Sequence, residues 1–290
     1  MQYIPQILFS GIALGMIYGV TAFGYQLTFA TSRTLNFGQG EALAIGALVA
    51  LSLTGYVNYW LAIPIIFLVG AAQGVFVEQV AIRPARKSKS EFSWIMSTIA
   101  LGIIFKNVAE NIWGKDDYKF PSPLPDTPIL IFGARVLPME IMVVAGALIL
   151  MLAIEFFNRG TIFGKAIIAT SSDPGAAGLM GINTDRVITF SYAMSSATAA
   201  LAGMLIAPLT LAGAGMGTAL GLKALAVAII GGLNSGLGVI VGGIILGITE
   251  TATGFYLSTG YKEVPGLLLL LIVLAITPAG LFGKATIRKV

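Results

Sequence analysis

Apolar runs recur along the whole chain, and most are as long as a helix that crosses a membrane. A hydrocarbon core takes about 20 helical residues. The predicted spans cover residues 7–29, 35–54, 60–81, 92–113, 138–157, 186–207, 219–233, 236–257 and 264–282. The run 219–233 is the shortest, and half of a broken or re-entrant helix is the alternative there. The pattern predicts an all-α, polytopic transmembrane bundle of eight or nine spans, forming a single domain over residues 1–290.

Composition narrows the function classes. Of 290 residues, 57% are hydrophobic and 10% charged, which is too apolar for a soluble protein surface. The chain contains neither Cys nor His, so thiol chemistry, disulfides, the commonest metal ligand and the usual proton shuttle are absent. We therefore expect no enzyme and no metal site. The net charge of +4 reflects the basic loops of a membrane protein rather than a nucleic-acid partner. The N-terminal MQYIPQ has no basic n-region, so the first run is expected to stay as a span.

The basic residues set the expected orientation. The connection IRPARKSKSE carries Arg83, Arg86, Lys87 and Lys89, and the C-terminal tail has further cations, Lys284, Arg288 and Lys289. Such clusters lie on the cytoplasmic side. Nine spans then place the N-terminus outside, the C-terminus and Thr161–Arg186 in the cytoplasm, and the Pro-rich loop Gly114–Pro138 outside.

The polar segment Thr161–Arg186 separates two long apolar runs. Asp173 followed by Pro174 predicts the capped start of a short helix, and Gly181 predicts its end. An Ala/Gly face on such a helix suits a groove in a cytosolic partner. The alternative is an amphipathic connector on the membrane surface, but the expected bulky apolar anchors opposite a cationic face are missing from the sequence.

Ionisable residues inside the predicted spans are functional candidates, because charge is costly in lipid. They are Glu41, Glu78, Lys106, Glu110, Glu155, Lys223 and Glu250. Glu78 and Glu155 lie near span ends, where solvation at the interface is expected. Lys106 and Glu110 are four residues apart on one helix and are expected to pair with each other.

Asn36, Gln39 and Glu41 cluster with two glycines where a helix begins. Free N–H groups at a helix start favour anionic groups, so a role in a translocation pathway or gate is one hypothesis for these residues and for Lys223. Packing through the glycines, with Asn36 as the cap, is the alternative. Glu41-Ala-Leu-Ala also resembles Lys223-Ala-Leu-Ala in an oppositely directed span, as an inverted repeat would produce. Chance similarity between Ala/Leu-rich helices is the simpler explanation.

Several sequence blocks resemble a known family. They are LNFGQGE, VAIRPAR, GLMGINTDRV, LKALAVAIIGGLNSGLGVIVGGIILGITE, YLSTGYKEV and TPAGLFGK, in family order over nearly the whole chain. The chain resembles the H-type permease subunits of ATP-binding-cassette importers for branched-chain amino acids. The resemblance implies a bacterial-type plasma (inner) membrane protein that pairs with a second permease, two cytosolic ATPase subunits and an extracytoplasmic binding protein. The external loop Lys119–Arg135 is a candidate contact for that binding protein, or a passive cover.

The same resemblance implies a coupling helix that docks in the ATPase. The matching positions are Ser172, Asp173, Pro174, Gly175, Ala176, Ala177 and Gly181. ATP and Mg²⁺ would bind the partner, since this chain has no G-x-x-x-x-G-K-[ST] loop and no cofactor of its own is expected. Many members carry His where this chain has Gln39, so substrate preference would differ if that position faces the pathway. The alternatives are a permease for urea, short amides or small carboxylates, and, in other classes, a secondary transporter, a channel or a membrane enzyme.

Overall fold

The computed structural model describes residues 3–88, 92–277 and 279–283. Nearly all of the regular structure in these residues is helical. The helices are α1 (Ile4–Ser32), α2 (Gln39–Leu53), α3 (Tyr59–Val77), α4 (Arg83–Lys87), α5 (Ser93–Trp113), α6 (Pro138–Gly160), α7 (Ile162–Ser172), α8 (Pro174–Leu179), α9 (Thr184–Ile206), α10 (Met216–Gly231), α11 (Gly236–Tyr256) and α12 (Val264–Ile276). The predicted all-α polytopic bundle is confirmed.

Two of the nine predicted spans are short helices. By length and composition, seven helical segments in the described residues are able to cross a membrane, whereas α2 and α10 have only 15 and 16 residues. At 1.5 Å per residue each is about 22–24 Å long, less than a hydrocarbon core. The sequence marked only 219–233 as short, but α2, predicted over 35–54, is shorter still. Most of α2 and half of α10 are buried by neighbouring helices, so that protein rather than lipid surrounds much of both.

Glycines bring the long helices close together. Gly11 and Gly15 of α1 face α11 so closely that a Cβ would lie 2.7 Å from the Ile248 Cα and 2.9 Å from the Ile244 Cα, respectively. The same four-residue step recurs between α3 and α9, where a Cβ on Gly70 would lie 2.8 Å from the Ala197 Cα. Small residues allow such antiparallel backbone contact where lipid provides no hydrophobic incentive to pack.

The helices of the N-terminal half and those of the C-terminal half make similar sets of contacts. Helix α1 packs against α11 and α10, and α9 packs against α3 and α2. Helix α5 contacts α2 as α12 contacts α10, while the pairs α1 with α9 and α2 with α10 lie between the halves. Exchanging α1 with α9, α2 with α10, α3 with α11 and α5 with α12 maps the contacts named here onto one another or onto themselves. This pattern favours an inverted repeat over chance for the similarity at Glu41 and Lys223.

The basic connection after α3 is mostly helical rather than a loop. Helix α3 continues through a π-helical turn, Glu78–Ile82, into α4. Pro84 lies at the start of α4, where the missing N–H of proline matters least. The expected loop at 82–91 is therefore wrong over its first half, and Lys89 lies outside the described residues.

The predicted external loop is ordered by strand pairing. Strand β1 (Ile129–Ile131) pairs antiparallel with β2 (Ala134–Val136) through a turn in which Phe132 and Gly133 have positive φ. Tyr118 pairs with Ala212 in the connection before α10. At the other end of the chain, α12 ends at Ile276 rather than at 282, and the basic tail from residue 284 lies outside the described residues.

Candidate functional site

The predicted short helix in Thr161–Arg186 is α8, and both of its ends are capped. The Asp173 Oδ1 accepts a hydrogen bond from the Ala176 N–H at 3.0 Å, and Pro174 occupies the first turn. At the other end, Gly181 has φ +85° and donates to the Gly178 carbonyl, while the Ile182 N–H donates to the Ala177 carbonyl, each at 3.0 Å. These two bonds form a Schellman motif. Both ends of the six-residue helix are therefore capped by residues of this chain.

Helix α8 and the residues after it present a mixed surface of small and large apolar side chains. Gly175, Ala176 and Gly178 are exposed, and Leu179 and Met180 are 91% and 83% exposed. The expectation that this segment lacks bulky apolar anchors is wrong, because α7 also exposes Ile162 and Phe163. Such large side chains cluster at interaction sites. Ser172, Asp173 and Pro174 are exposed as well, as is Gly181.

One predicted coupling residue faces inward. Ala177 is 4% exposed and therefore packs within this chain rather than forming part of its free surface. Below it, α7 is held by a cluster of Leu27, Ile167 and Val187. The rings of Phe157 and Phe190 stack at 5.5 Å, joining α6 to α9 beside this cluster. The segment is thus attached to three long helices, α1, α6 and α9.

A buried carboxylate joins the start of α9 to the π-helical turn. Glu78 is 0% exposed and accepts hydrogen bonds from the Arg83 Nε and Nη2 at 3.2 and 3.0 Å and from the Thr189 hydroxyl at 2.9 Å. Arg86 adds an ion pair of 3.4 Å with Asp185. The expected interfacial solvation of Glu78 is wrong, because a bidentate guanidinium and a hydroxyl replace water. The contact of Glu78 with Arg83 and Thr189 was not predicted, and the Glu-x₄-Arg-Pro spacing is its signal in the sequence.

Two members of the predicted pathway cluster are internal. Gln39 is 0% exposed, and its Nε2 donates to the Ser195 carbonyl at 2.9 Å. The Asn36 Oδ1 accepts from the Gly38 N–H at 3.0 Å and so closes a turn before α2, although the N-cap residue itself is Gly38. A Cβ on Gly24 would lie 2.5 Å from the Gln39 Nε2, so α1 closes over the amide. The geometry favours packing for Asn36 and Gln39.

Glu41 lies where the first turns of α2 and α10 meet. A Cβ on Gly40 would overlap the Gly217 carbonyl and lie 2.9 Å from the Gly221 Cα. The Glu41 Oε1 accepts a hydrogen bond from the Thr218 hydroxyl at 2.9 Å. Two helix N-termini, whose dipoles favour negative charge, are thus next to one carboxylate.

Lys223 belongs to a separate network. Its Nζ lies 3.2 Å from the Glu250 Oε1 and 3.6 Å from the Glu263 Oε1. The Tyr18 hydroxyl donates to the Glu250 Oε2 at 2.8 Å. The contacts join α1, α10, α11 and the start of α12. Within this chain Lys223 is therefore neutralised, which favours a structural role over a direct role in a pathway.

A known protein family matches this chain over most of its length. The family model described as the permease component of the branched-chain amino acid transport system matches residues 7–277. This chain belongs to that permease family. The LivH permease proteins of high-affinity branched-chain amino acid transport in Salmonella typhimurium and Escherichia coli are 33% identical, over 99% of this chain and 98% of theirs. The BraD permease protein of Pseudomonas aeruginosa is 27% identical over 100% of this chain and 98% of its own. No solved structure matches significantly.

In this permease, the ionisable residues of α5 and α6 behave differently from each other. Glu155 and Arg159 of α6 form an exposed ion pair of 2.6 Å near the helix end, in keeping with the expected interfacial position. Lys106 and Glu110 of α5 form no ion pair with each other or with any other described residue, so the predicted pairing is wrong. Sequence spacing alone permits such a pair but does not determine which way either side chain turns.

Proposed function

We propose that this chain is the permease subunit of an ATP-binding-cassette importer for branched-chain, other hydrophobic or neutral amino acids. The observation that carries the proposal is the exposed, doubly capped helix α8, which displays Leu179 and Met180 beside small residues. An ATPase cleft that receives this tip would bury apolar surface and gain a rigid contact. The membership of the chain in the branched-chain amino acid permease family supports the same assignment.

The complex needs more than this chain. A second permease supplies the opposite wall of the pathway and a second coupling helix. Two cytosolic ATPase subunits bind ATP and Mg²⁺, and an extracytoplasmic binding protein selects the substrate. The expected position is the bacterial-type plasma membrane, with the N-terminus outside and the C-terminus in the cytoplasm. Arg86, Lys87 and the α8 segment then share the cytoplasmic side, as the positive-inside rule favours.

The substrate class rests on the relatives rather than on a pocket. Relatives sharing 33% identity over nearly their whole length are named as permeases of high-affinity branched-chain amino acid transport. The departure at Gln39 gives no support to a urea, amide or carboxylate substrate, because that side chain is buried and hydrogen-bonded to Ser195. We therefore keep hydrophobic and neutral amino acids as the proposed cargo.

Reconstitution tests the proposal. The chain would be purified with its second permease and ATPase subunits, placed in vesicles and supplied with the binding protein. We expect leucine uptake that requires ATP and ATP hydrolysis that leucine-loaded binding protein stimulates. If uptake continued without ATP, with only a proton gradient present, the proposal would be contradicted. A secondary transporter would then be favoured.

A further inference from the structure

Helix α5 presents polar side chains on a surface that no other described helix covers. It is 21 residues long and apolar enough to span a membrane, yet only 22% of its most apolar stretch is buried. Lys106 and Glu110 are partly exposed, and Asn107 and Asn111 are exposed. At about 100° per residue, these four positions occupy one side of the helix, and we call them the α5 polar band.

The counterpart of α5 in the other half of the molecule has the opposite character. Helix α12, which contacts α10 as α5 contacts α2, contains no charged or amide side chain and exposes Leu267 and Leu271. That surface suits lipid. Charged and amide groups on a lipid-facing surface are costly, and such residues instead face protein or water. The two halves therefore differ in environment, and the α5 polar band lies on the side that lipid does not cover.

Several polar groups of the α5 polar band have no partner among the described residues. Lys106 and Glu110 have no ion pair or hydrogen bond in the part of the chain that the structure describes. The amide groups of Asn107 and Asn111 donate to the Ile103 and Asn107 carbonyls of their own helix, both at 2.8 Å. Their amide oxygens accept no hydrogen bond from any described residue. One cation, one anion and two amide oxygens thus lie on a single helix face without partners.

Neighbouring residues extend the band toward the centre of the molecule. Gly102, one turn before Lys106, packs against the start of α2, where a Cβ on Gly102 would lie 3.8 Å from the Glu41 Cγ. Ile103 is 58% exposed beside the band and offers an apolar contact.

We propose that the α5 polar band lines the translocation pathway and makes transient contact with a zwitterionic amino acid. Lys106 pairs with the carboxylate of the ligand, and Glu110 with the Asn107 and Asn111 oxygens receives its ammonium, while the apolar side chain rests on Ile103. This inference rests on the proposed function and adds residues to it. A ligand with both charges matches a cation and an anion that stand one turn apart and do not bond to each other. Partly exposed charges also bind weakly, which suits a cargo that must leave.

Cysteine accessibility provides a direct test, since the chain contains no Cys. Asn107→Cys and Asn111→Cys variants would be assembled into the complete complex in vesicles and treated with a water-soluble sulfonated methanethiosulfonate. We expect both to react and leucine to slow the reaction several-fold, while Leu267→Cys and Leu271→Cys on α12 do not react. Failure of both α5 cysteines to react, in a complex that still imports leucine, would show a face that water does not reach and overturn the inference.

Charge removal provides the second test. We expect Lys106→Gln and Glu110→Gln each to lower the leucine transport rate about tenfold, the effect of losing one charged hydrogen bond. Lys106→Arg should keep most of the rate, and ATPase association should be unchanged in all three variants. Wild-type rates in both Gln variants, in a complex whose uptake is driven by ATP, would refute the pathway role and leave the proposed function standing. A wild-type complex that imports no amino acid would refute both.

Discussion

The Glu78 carboxylate and the Arg83 guanidinium form a bidentate pair across the π-helical turn between α3 and α4, at 3.2 and 3.0 Å. Thr189 of α9 donates to the same carboxylate. The pair therefore links the π-helical turn, which also packs against α5, to α9, which follows the proposed coupling segment. Hydrogen bonds therefore connect α9 to the π-helical turn, and that turn in turn packs against the helix that carries the α5 polar band.

We predict that Glu78→Gln uncouples the complex. The amide loses one acceptor and the charge, leaving Arg83 without its counterion, so leucine uptake should fall at least tenfold while the ATPase subunits remain bound. Uptake and ATP hydrolysis would be measured on the same vesicles. Glu155→Gln is the matched control, because it removes one partner of an exposed pair and should have little effect. Normal coupling in Glu78→Gln would exclude a transmitting role for this pair.

A bulky residue at Gly178 tests docking without disturbing the permease itself. No atom lies within 4 Å of a Cβ built there, and the backbone φ is ordinary. We expect Gly178→Trp to insert and fold normally but to lose ATPase association and uptake. Gly55→Trp, at an equally open position between α2 and α3, should retain both. Retained association in Gly178→Trp would contradict docking through α8. Gly181 is a poorer choice, because its φ of +85° strains any other residue.

The tip of α8 should contribute strongly to affinity for the ATPase. We expect Leu179→Ala and Met180→Ala each to weaken the association, by about tenfold or more, if these side chains enter a desolvated cleft. Titration of the purified ATPase onto the permease in nanodiscs gives the dissociation constant. Phe132→Ala, which truncates a side chain that is 90% exposed in the β1–β2 turn, is the control expected to leave that constant unchanged. If all three variants bound the ATPase with the wild-type dissociation constant, the tip of α8 would not be part of the interface.

Gly40 is predicted to be intolerant of any side chain. A methyl group there collides with the backbone of α10, so Gly40→Ala should lower the free energy of unfolding by about 1–3 kcal/mol, the range for overpacking. Thermal stability in detergent, compared with Gly55→Ala, measures the difference. An unchanged midpoint would show that α2 and α10 separate more easily than their contact indicates.

The sequence predicted most of the fold because the length of an apolar run is a local property. Asp173, Pro174 and Gly181 likewise determine α8 through contacts within a few residues. Contacts between elements that are distant in the sequence could not be predicted in this way. Glu78 finds Thr189 more than a hundred positions away, and Gln39 reaches Ser195. The exposure of Leu179 was also hidden, because the sequence does not say which apolar residues a small helix leaves uncovered.

The contact between α2 and α10 bears on how the chain is made. Residues 39–53 leave the ribosome long before residues 216–231, and the glycine surface of α2 fits the backbone of α10. During synthesis α2 therefore lacks its packing partner α10 until most of the protein has been made. At 15 residues it is too short to span the bilayer stably by itself. A chain that stops before Met216 leaves this helix without its partner, and a membrane protease would have a defined segment to recognise in such an unfinished product.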